Sequence, residues 1–192
     1  MAEIPAADNR RDTIVQIARQ ILAEKGFEGF RVREVAARSG INHATLLYYF
    51  PSKEALIQAM VESIIVEFGA LYSPSTDEKR ASPRAELQQH FHGLLKQMQE
   101  TPDVFVVMNE LQLRAIRDPE IRSIVQHADK EWFHYLHSVL DLARKQQKVR
   151  PDVSSEDAAR FIMVLFRGMS LRSDPPETRQ RSVALLEQWL FI

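Results

Sequence analysis

Cysteine is absent from this 192-residue chain, which excludes disulfides, thiolate metal sites and a cysteine nucleophile. Long apolar runs are missing as well. None reaches membrane-spanning length, and the opening stretch MAEIPAADNRRD has no apolar core of signal-peptide size, so a cytoplasmic protein is expected. Net charge is only −1, so no basic bulk announces nucleic acid. Neither a Gly-rich phosphate loop nor a Gly-x-Ser-x-Gly elbow occurs, which leaves nucleotide and serine-nucleophile chemistry without support. Sustained period-2 alternation is lacking too, so strands are not expected. What remains is 45% hydrophobic and 27% charged, suited to a globular chain of one or two domains with a real core.

Charge is scarce in sum but uneven in placement. Between Asn9 and Glu54 eight cations face five anions, giving +3, and the rest of the chain carries −4. Inside that basic segment lies VREVAARSGINHATLLYYFPSK, Val32 to Lys53. A short helical run to Arg38 meets the turn signal Ser39-Gly40, and a second run from Asn42 to Tyr49 is closed by Phe50-Pro51. Two short helices around a tight turn with Gly form a helix-turn-helix, whose second helix enters the major groove of DNA.

The flanking residues fit that unit. Asp8 or Asn9 is expected to cap a first helix with Ile14, Ile17, Ala18, Ile21 and Leu22 on its apolar face, after a disordered stretch of eight residues. Gly26 ends this helix, and Phe27 and Phe30 read as core. Ala36 lets the next helix approach closely, and Ile41 plugs the turn. Asn42 is a competent N-cap for the reading helix. Thr45 or Leu46, with Tyr49, should face inward, leaving His43, Ala44, Leu47 and Tyr48 outward. An outward Leu47 beside an outward Tyr48 makes sense if that face meets a thymine methyl and a phosphate. Ser52 caps a fourth helix, and Lys53 in its first turn is placed for phosphate.

The order helix, Gly26-Phe27, short helix with Val35-Ala36, Gly40-Ile41, Thr45-Leu46, Tyr49-Phe50 and Lys53, over roughly Asn9 to Met60, resembles the DNA-binding domain of TetR-family transcriptional regulators. The resemblance implies that His43, Ala44, Thr45, Leu47 and Tyr48 line the groove-facing edge. It also implies a base-reading position at Arg33, whose guanidinium can grip the O6 and N7 of guanine. Asn42 stands where the family usually has Ser or Thr, and Ala44 where it often has Gly or Pro. Leu47 replaces a Tyr that normally touches phosphate, so Tyr48 or Tyr49 takes over. Arg31 replaces a Thr and can hold phosphate through its guanidinium.

Beyond Lys53 the apolar stripe Leu56, Ala59, Met60, Ile64, Val66, Phe68 and Leu71 continues the fourth helix to about Tyr72. Ser73 to Asp77 breaks it, and the segment to Ser82 reads as a loop. Capping residues directly before proline at Ser82-Pro83, Thr101-Pro102, Asp118-Pro119 and Asp174-Pro175, with Ser154 or Ser155 after Pro151, set helices near 83–100, 102–117, 119–148, 154–171 and 175–190. The expected fold is all-α. A three-helix domain with the helix-turn-helix occupies 1–55, and a helical ligand-binding and dimerisation domain occupies 56–192.

The last two helices carry broad apolar faces, one with Ala158, Phe161, Ile162, Leu165, Phe166 and Met169, the other with Val183, Leu186, Trp189, Leu190 and Phe191. A terminus ending Trp-Leu-Phe-Ile frays unless it is covered. The resemblance supplies a cover, a homodimer through these helices, with Phe161, Leu165, Met169, Leu186, Trp189 and Leu190 at the contact. It also implies a small-molecule pocket in the C-terminal helices. Phe105, Met108, Trp132 and Met163 are its apolar nominees, and Asn109, Gln112, His134 and Arg167 its polar ones.

Two other function classes have weaker support in the residues. Glu131-x-x-His134-x-x-His137 is half of a di-metal carboxylate pattern, but no second Glu-x-x-His exists, so neither metal nor cofactor is expected. His90 and His92 lie two apart on a helix and do not face together. An interaction protein with a vestigial helix-turn-helix is favoured only by Leu47, against the retained Arg31, Arg33, Tyr48 and Lys53. The expected function is a ligand-responsive DNA-binding regulator, most simply a homodimeric repressor released from operator DNA by a small molecule, and not an enzyme.

Overall fold

The structure, a computed structural model, describes residues 6–72 and 82–192. Among these the regular elements are all helices: α1 (Ala6–Gly29), α2 (Val32–Arg38), α3 (His43–Tyr49), α4 (Lys53–Tyr72), α5 (Pro83–Glu100), α6 (Pro102–Ala115), α7 (Pro119–Lys145), α8 (Ser155–Ser170) and α9 (Pro176–Leu190). The break expected at Ser73 to Asp77, and the five residues before Ala6, lie outside the described residues. No helix among the described residues is long and apolar enough to cross a membrane.

Two compact units divide the chain. The first joins the N-terminal residues to Val66 with Asp103–Ala128; the second joins Glu67–Pro102 with Asp129–Ile192. In the first unit, helical spacing in α1 delivers Ile14, Ala18, Ile21 and Leu22 to full burial, and Phe30, Val35, Leu46, Phe50, Leu56, Ile57 and Met60 are equally enclosed. α1 begins at Ala6, ahead of Asp8 and Asn9, so neither is its cap. Gly26 at φ 66° breaks the helical path, a conformation open to glycine. Phe27 departs from expectation. It is half-buried rather than core, because two cations occupy its ring. Val66 is also not part of the apolar stripe of α4, being 73% exposed.

In the second unit, Phe91 of α5 stacks at 5.6 Å on Phe166 of α8, and Phe161 of α8 lies 5.0 Å from Trp189 of α9. Ser154 caps α8 by accepting from the N–H of Asp157 at 3.0 Å, leaving Ser155 as its buried first residue. Two proline-linked caps differ from the sequence reading. Ser82 makes no capping bond, and α9 starts at Pro176 with Pro175 as N-cap, because Asp174 is held by Arg172 at 2.7 and 3.1 Å.

The terminus is not frayed. Val149 and Phe191 form an isolated antiparallel bridge, with the N–H of Arg150 donating to Leu190 O and that of Ile192 to Lys148 O. Arg84 sits 4.7 Å over the Phe191 ring, and Leu190 and Phe191 are buried within the one chain.

Candidate nucleic-acid interface

α3 is seven residues long, too short to hold itself together by propagation, so its ends decide its stability. Asn42 supplies the N-terminal lock. Its Oδ1 accepts from the N–H of Thr45 at 2.7 Å and from the Thr45 hydroxyl at 3.0 Å. At the other end the N–H of Phe50 donates to Leu46 O at 2.9 Å, and the Phe50 ring is buried. Gly40, at φ 66°, turns the chain between α2 and α3. Arg10 reaches across to donate to Ser39 O at 2.9 Å, satisfying the carbonyl end of α2.

This frame points α3 with one residue down. Leu46 is fully buried, Thr45 and Tyr49 are half-buried, and Asn42, His43, Ala44, Leu47 and Tyr48 are exposed. Tyr48 is 85% exposed, with its ring edge-on to Tyr49 at 5.6 Å. A flat aromatic and an aliphatic side chain in water on one short helix form a surface that gains from a partner.

The electrostatics of the first unit sharpen this face. Five of its carboxylates are committed to particular cations: Glu34 to Lys25 at 2.7 Å and Arg38 at 2.8 Å, Glu24 to Arg38 at 2.8 Å, Asp103 to Arg19 at 3.1 Å, and Glu28 and Asp118 to Arg114 at 3.2 and 3.1 Å. Glu34 is held below its usual carboxylate range, first by its hydrogen bond from Lys25. Among the described residues, Arg11, Arg31, Arg33 and Lys53 make no ion pair and leave their positive charge for another partner. Arg31 donates to the carbonyls of Glu28 and Phe30, and Arg11 lies 5.1 Å over the Phe50 ring at the end of α3. Arg33 is exposed.

Lys53 opens α4, capped by Ser52, whose Oγ accepts from the N–H of Ala55 at 3.0 Å. Its ammonium rests 4.1 Å from the centre of the Phe27 ring and 5.5 Å from that of Phe30. Burial, then the positive charges of Arg31 and Arg114, push its pKa below the ordinary lysine value. An anion arriving there would favour the charged ammonium and so oppose both effects.

Sequence reasoning missed Arg10 and Arg11, because their roles appear only when α1 is folded back beside Ser39 and Phe50. The nominated ligand residues are not gathered in one unit. Phe105, Met108, Asn109 and Gln112 are half-buried in the first. Trp132 and Arg167 are half-buried and Met163 buried in the second. His134 is exposed on α7 rather than directed into a core, and Arg167 is ion-paired with Asp129. His90, by contrast, is fully buried and bonded to Trp132, while His92 is exposed and bonds Gln88 O. Among the described residues no group of three His, Asp or Glu could hold a metal ion.

Of the dimer nominees, Met169, Leu186 and Leu190 are buried within the one chain and are unavailable to a partner. The helical turn places Phe161 and Val164 of α8, its C-cap Leu171, and Leu185 of α9 outside instead, with Val164 68% and Leu171 71% exposed. Leu165 and Trp189 are half-buried, and Gly168 opens onto free space.

Both parts of the chain have known relatives. Residues 14–60 match the family described as bacterial regulatory proteins, tetR family, and residues 83–190 match the BetI-type transcriptional repressor C-terminal domain. The repressor KstR2 of Mycobacterium tuberculosis is 24% identical over 155 residues, 81% of this chain and 76% of that protein. The regulator EthR of Mycolicibacterium smegmatis is 27% identical over 84 residues, 44% of this chain and 39% of that protein. Among solved structures, a TetR-family regulator from Rhodococcus sp. superposes with TM-score 0.83 at 21% identity, covering 95% of this chain and 99% of that one. The ketosteroid regulator KstR2 superposes with TM-score 0.70 at 20% identity, covering 99% and 97%.

Proposed function

The chain belongs to the TetR family of transcriptional regulators, and on that premise we propose that it is a homodimeric repressor that leaves its operator when a small molecule binds. The division of labour is a DNA-binding domain at 1–55 and a ligand-binding and dimerisation domain at 56–192, working in the cytoplasm without catalysis. The observation that carries the reading is the outward edge of α3. His43, Ala44, Leu47 and Tyr48 stand in solvent, on a domain whose Arg31, Arg33 and Lys53 make no ion pair among the described residues.

Each side chain has a role suited to its chemistry. Ala44, Leu47 and Thr45 offer apolar contact to thymine methyls, and His43 a polar one to base edges. Arg33 reads guanine with both arms of its guanidinium, while Arg31, Tyr48 and Lys53 grip phosphates. Leu47 supplies no phosphate contact, and Tyr48 replaces it with a hydroxyl at the end of an exposed ring. Tyr49 packs half-inward and steadies that ring edge-on.

The second unit supports two further parts of the proposal. The exposed apolar strip of Phe161, Val164, Leu171 and Leu185 is the two-fold contact, which sets two α3 helices about 34–36 Å apart or a multiple, matching successive major grooves. An effector that favours a conformer with different spacing lowers operator affinity by that differential binding. Relatives bearing the repressor description support the sign of regulation.

The test is a gel-shift titration with the DNA flanking the protein's own gene. Retarded complexes that resist competitor DNA and weaken with salt are expected. Absence of any specific, salt-sensitive complex contradicts the proposal.

A further inference from the structure

Gly26, at φ 66°, turns the chain out of α1 and presents the N–H of Phe27 as an orphan donor. A residue 83 positions away takes it: Oε2 of Glu110, on α6, accepts that N–H at 3.0 Å. The approach is close enough that a Cβ on Gly26 would stand 3.2 Å from the same oxygen. One helical turn along α6, Arg114 places its guanidinium 4.7 Å from the centre of the Phe27 ring. Nη1 of Arg114 is fixed by Glu28 at 3.2 Å and its Nε by Asp118 at 3.1 Å. The ring so held is the one on which Lys53 rests at 4.1 Å. Backbone, ring and ammonium therefore form one chain of contacts from α6 to the first turn of α4.

We propose that Glu110 and Arg114 are positioning residues for the DNA-backbone contact of Lys53, α6 holding the Phe27 platform from which that ammonium reaches phosphate. The inference rests on the DNA-binding reading above. Without Glu110 the Phe27 N–H turns to water and the Gly26 kink loses its partner, so the ring drifts. Without Arg114 the ring loses its second cation, and Lys53 settles over the vacated face, away from the groove. In both cases Lys53 ceases to point at phosphate although its own residue is intact. α6 thereby acts on operator affinity through a side chain it does not itself carry.

The experiment measures DNA affinity against salt for the full chain, using a duplex enriched by the wild-type protein from a randomised library. Variants are Lys53→Met, Glu110→Ala, Arg114→Met, the double variants with Lys53→Met, and the conservative Glu110→Gln and Arg114→Lys. Thermal melts run alongside, so that only folded variants are compared. Removing Lys53 should flatten the slope of log affinity against log salt by about one unit per protomer. Glu110→Ala and Arg114→Met should flatten it by a similar amount, add nothing further once Lys53 is gone, and be restored towards wild type by Glu110→Gln and Arg114→Lys. A slope that stays at the wild-type value in a folded Glu110→Ala or Arg114→Met protein overturns the inference, as does full additivity with Lys53→Met. If the wild-type chain enriches no duplex at all, the DNA-binding reading fails, and the positioning role falls with it.

Discussion

The indole N–H of Trp132 donates to Nε2 of His90 at 3.0 Å, joining α7 to the fully buried imidazole of α5. An imidazole nitrogen that accepts carries no proton, so His90 is neutral with its hydrogen on Nδ1. Tyr135 packs edge-on at 5.1 Å, and burial pushes the pKa of His90 down to about 3 from 6.5.

That arrangement makes stability depend on acid. The unfolded imidazole takes up a proton below about pH 6.5, whereas the folded one does so only near pH about 3. Across that window the unfolded state binds more protons. The contribution is complete above about pH 6.5 and is lost as the pH falls, with a slope approaching about 1.4 kcal/mol per pH unit. His90→Gln keeps an acceptor for the indole but does not titrate. Denaturant melts from pH 7 down to pH 4 should show a shallower loss in the variant than in wild type. Equal slopes would show that this imidazole does not govern acid sensitivity.

Asn42 is the lock of α3, with two hydrogen bonds from Thr45. Asn42→Ala should cost about 1 kcal/mol in chemical denaturation, and Asn42→Asp or Asn42→Ser should recover most of it. The same alanine variant should lose DNA affinity, since the groove-facing residues follow directly after the cap. A variant of unchanged stability would mean that the helix is held from elsewhere.

Arg33 and Lys53 divide reading from gripping. Arg33→Ala should relax preference at particular base pairs and leave much of the backbone attraction. Lys53→Ala should weaken all duplexes alike and flatten salt dependence by about one unit of slope per protomer. Identical behaviour of the two in a panel of single-base operator variants would contradict the division.

Val164 is exposed in the single chain, so a polar residue there costs the monomer little. Val164→Arg should halve the sedimenting mass while leaving helical content and thermal melting of each chain near wild type. Sedimentation at the same mass as wild type would place the two-fold contact on another face.

The helix-turn-helix was legible because its signals are local. Asn42 three residues before the N–H it accepts from, Gly40 in the turn and the alternation of Leu46 with Leu47 all act within one helical turn. Helices α5 to α9 were legible within a few residues, since proline and capping side chains mark their starts. Contacts between distant segments were not. Glu110 meeting Phe27, and His90 meeting Trp132, depend on how helices pack, and neither pairing leaves a spacing in the sequence. Facing was misjudged for the same reason. Met169, Leu186 and Leu190 share an apolar face with Phe161 and Trp189, but only packing shows which side of each helix the single chain already covers. Asp174 has the sequence position of a cap because it precedes proline; the nearby Arg172 guanidinium competes for its carboxylate and wins.

The central claim is that two copies of this chain read a two-fold DNA site through α3. Its most direct measurement is selection of duplexes from a randomised library, followed by determination of the stoichiometry of the winning complex. An inverted repeat, its half-sites one helical turn or a multiple apart, bound by an even number of chains and dispersed by raised salt, is the predicted result. A pool that shows no enrichment, or a winning duplex that binds one chain without symmetry, would contradict it.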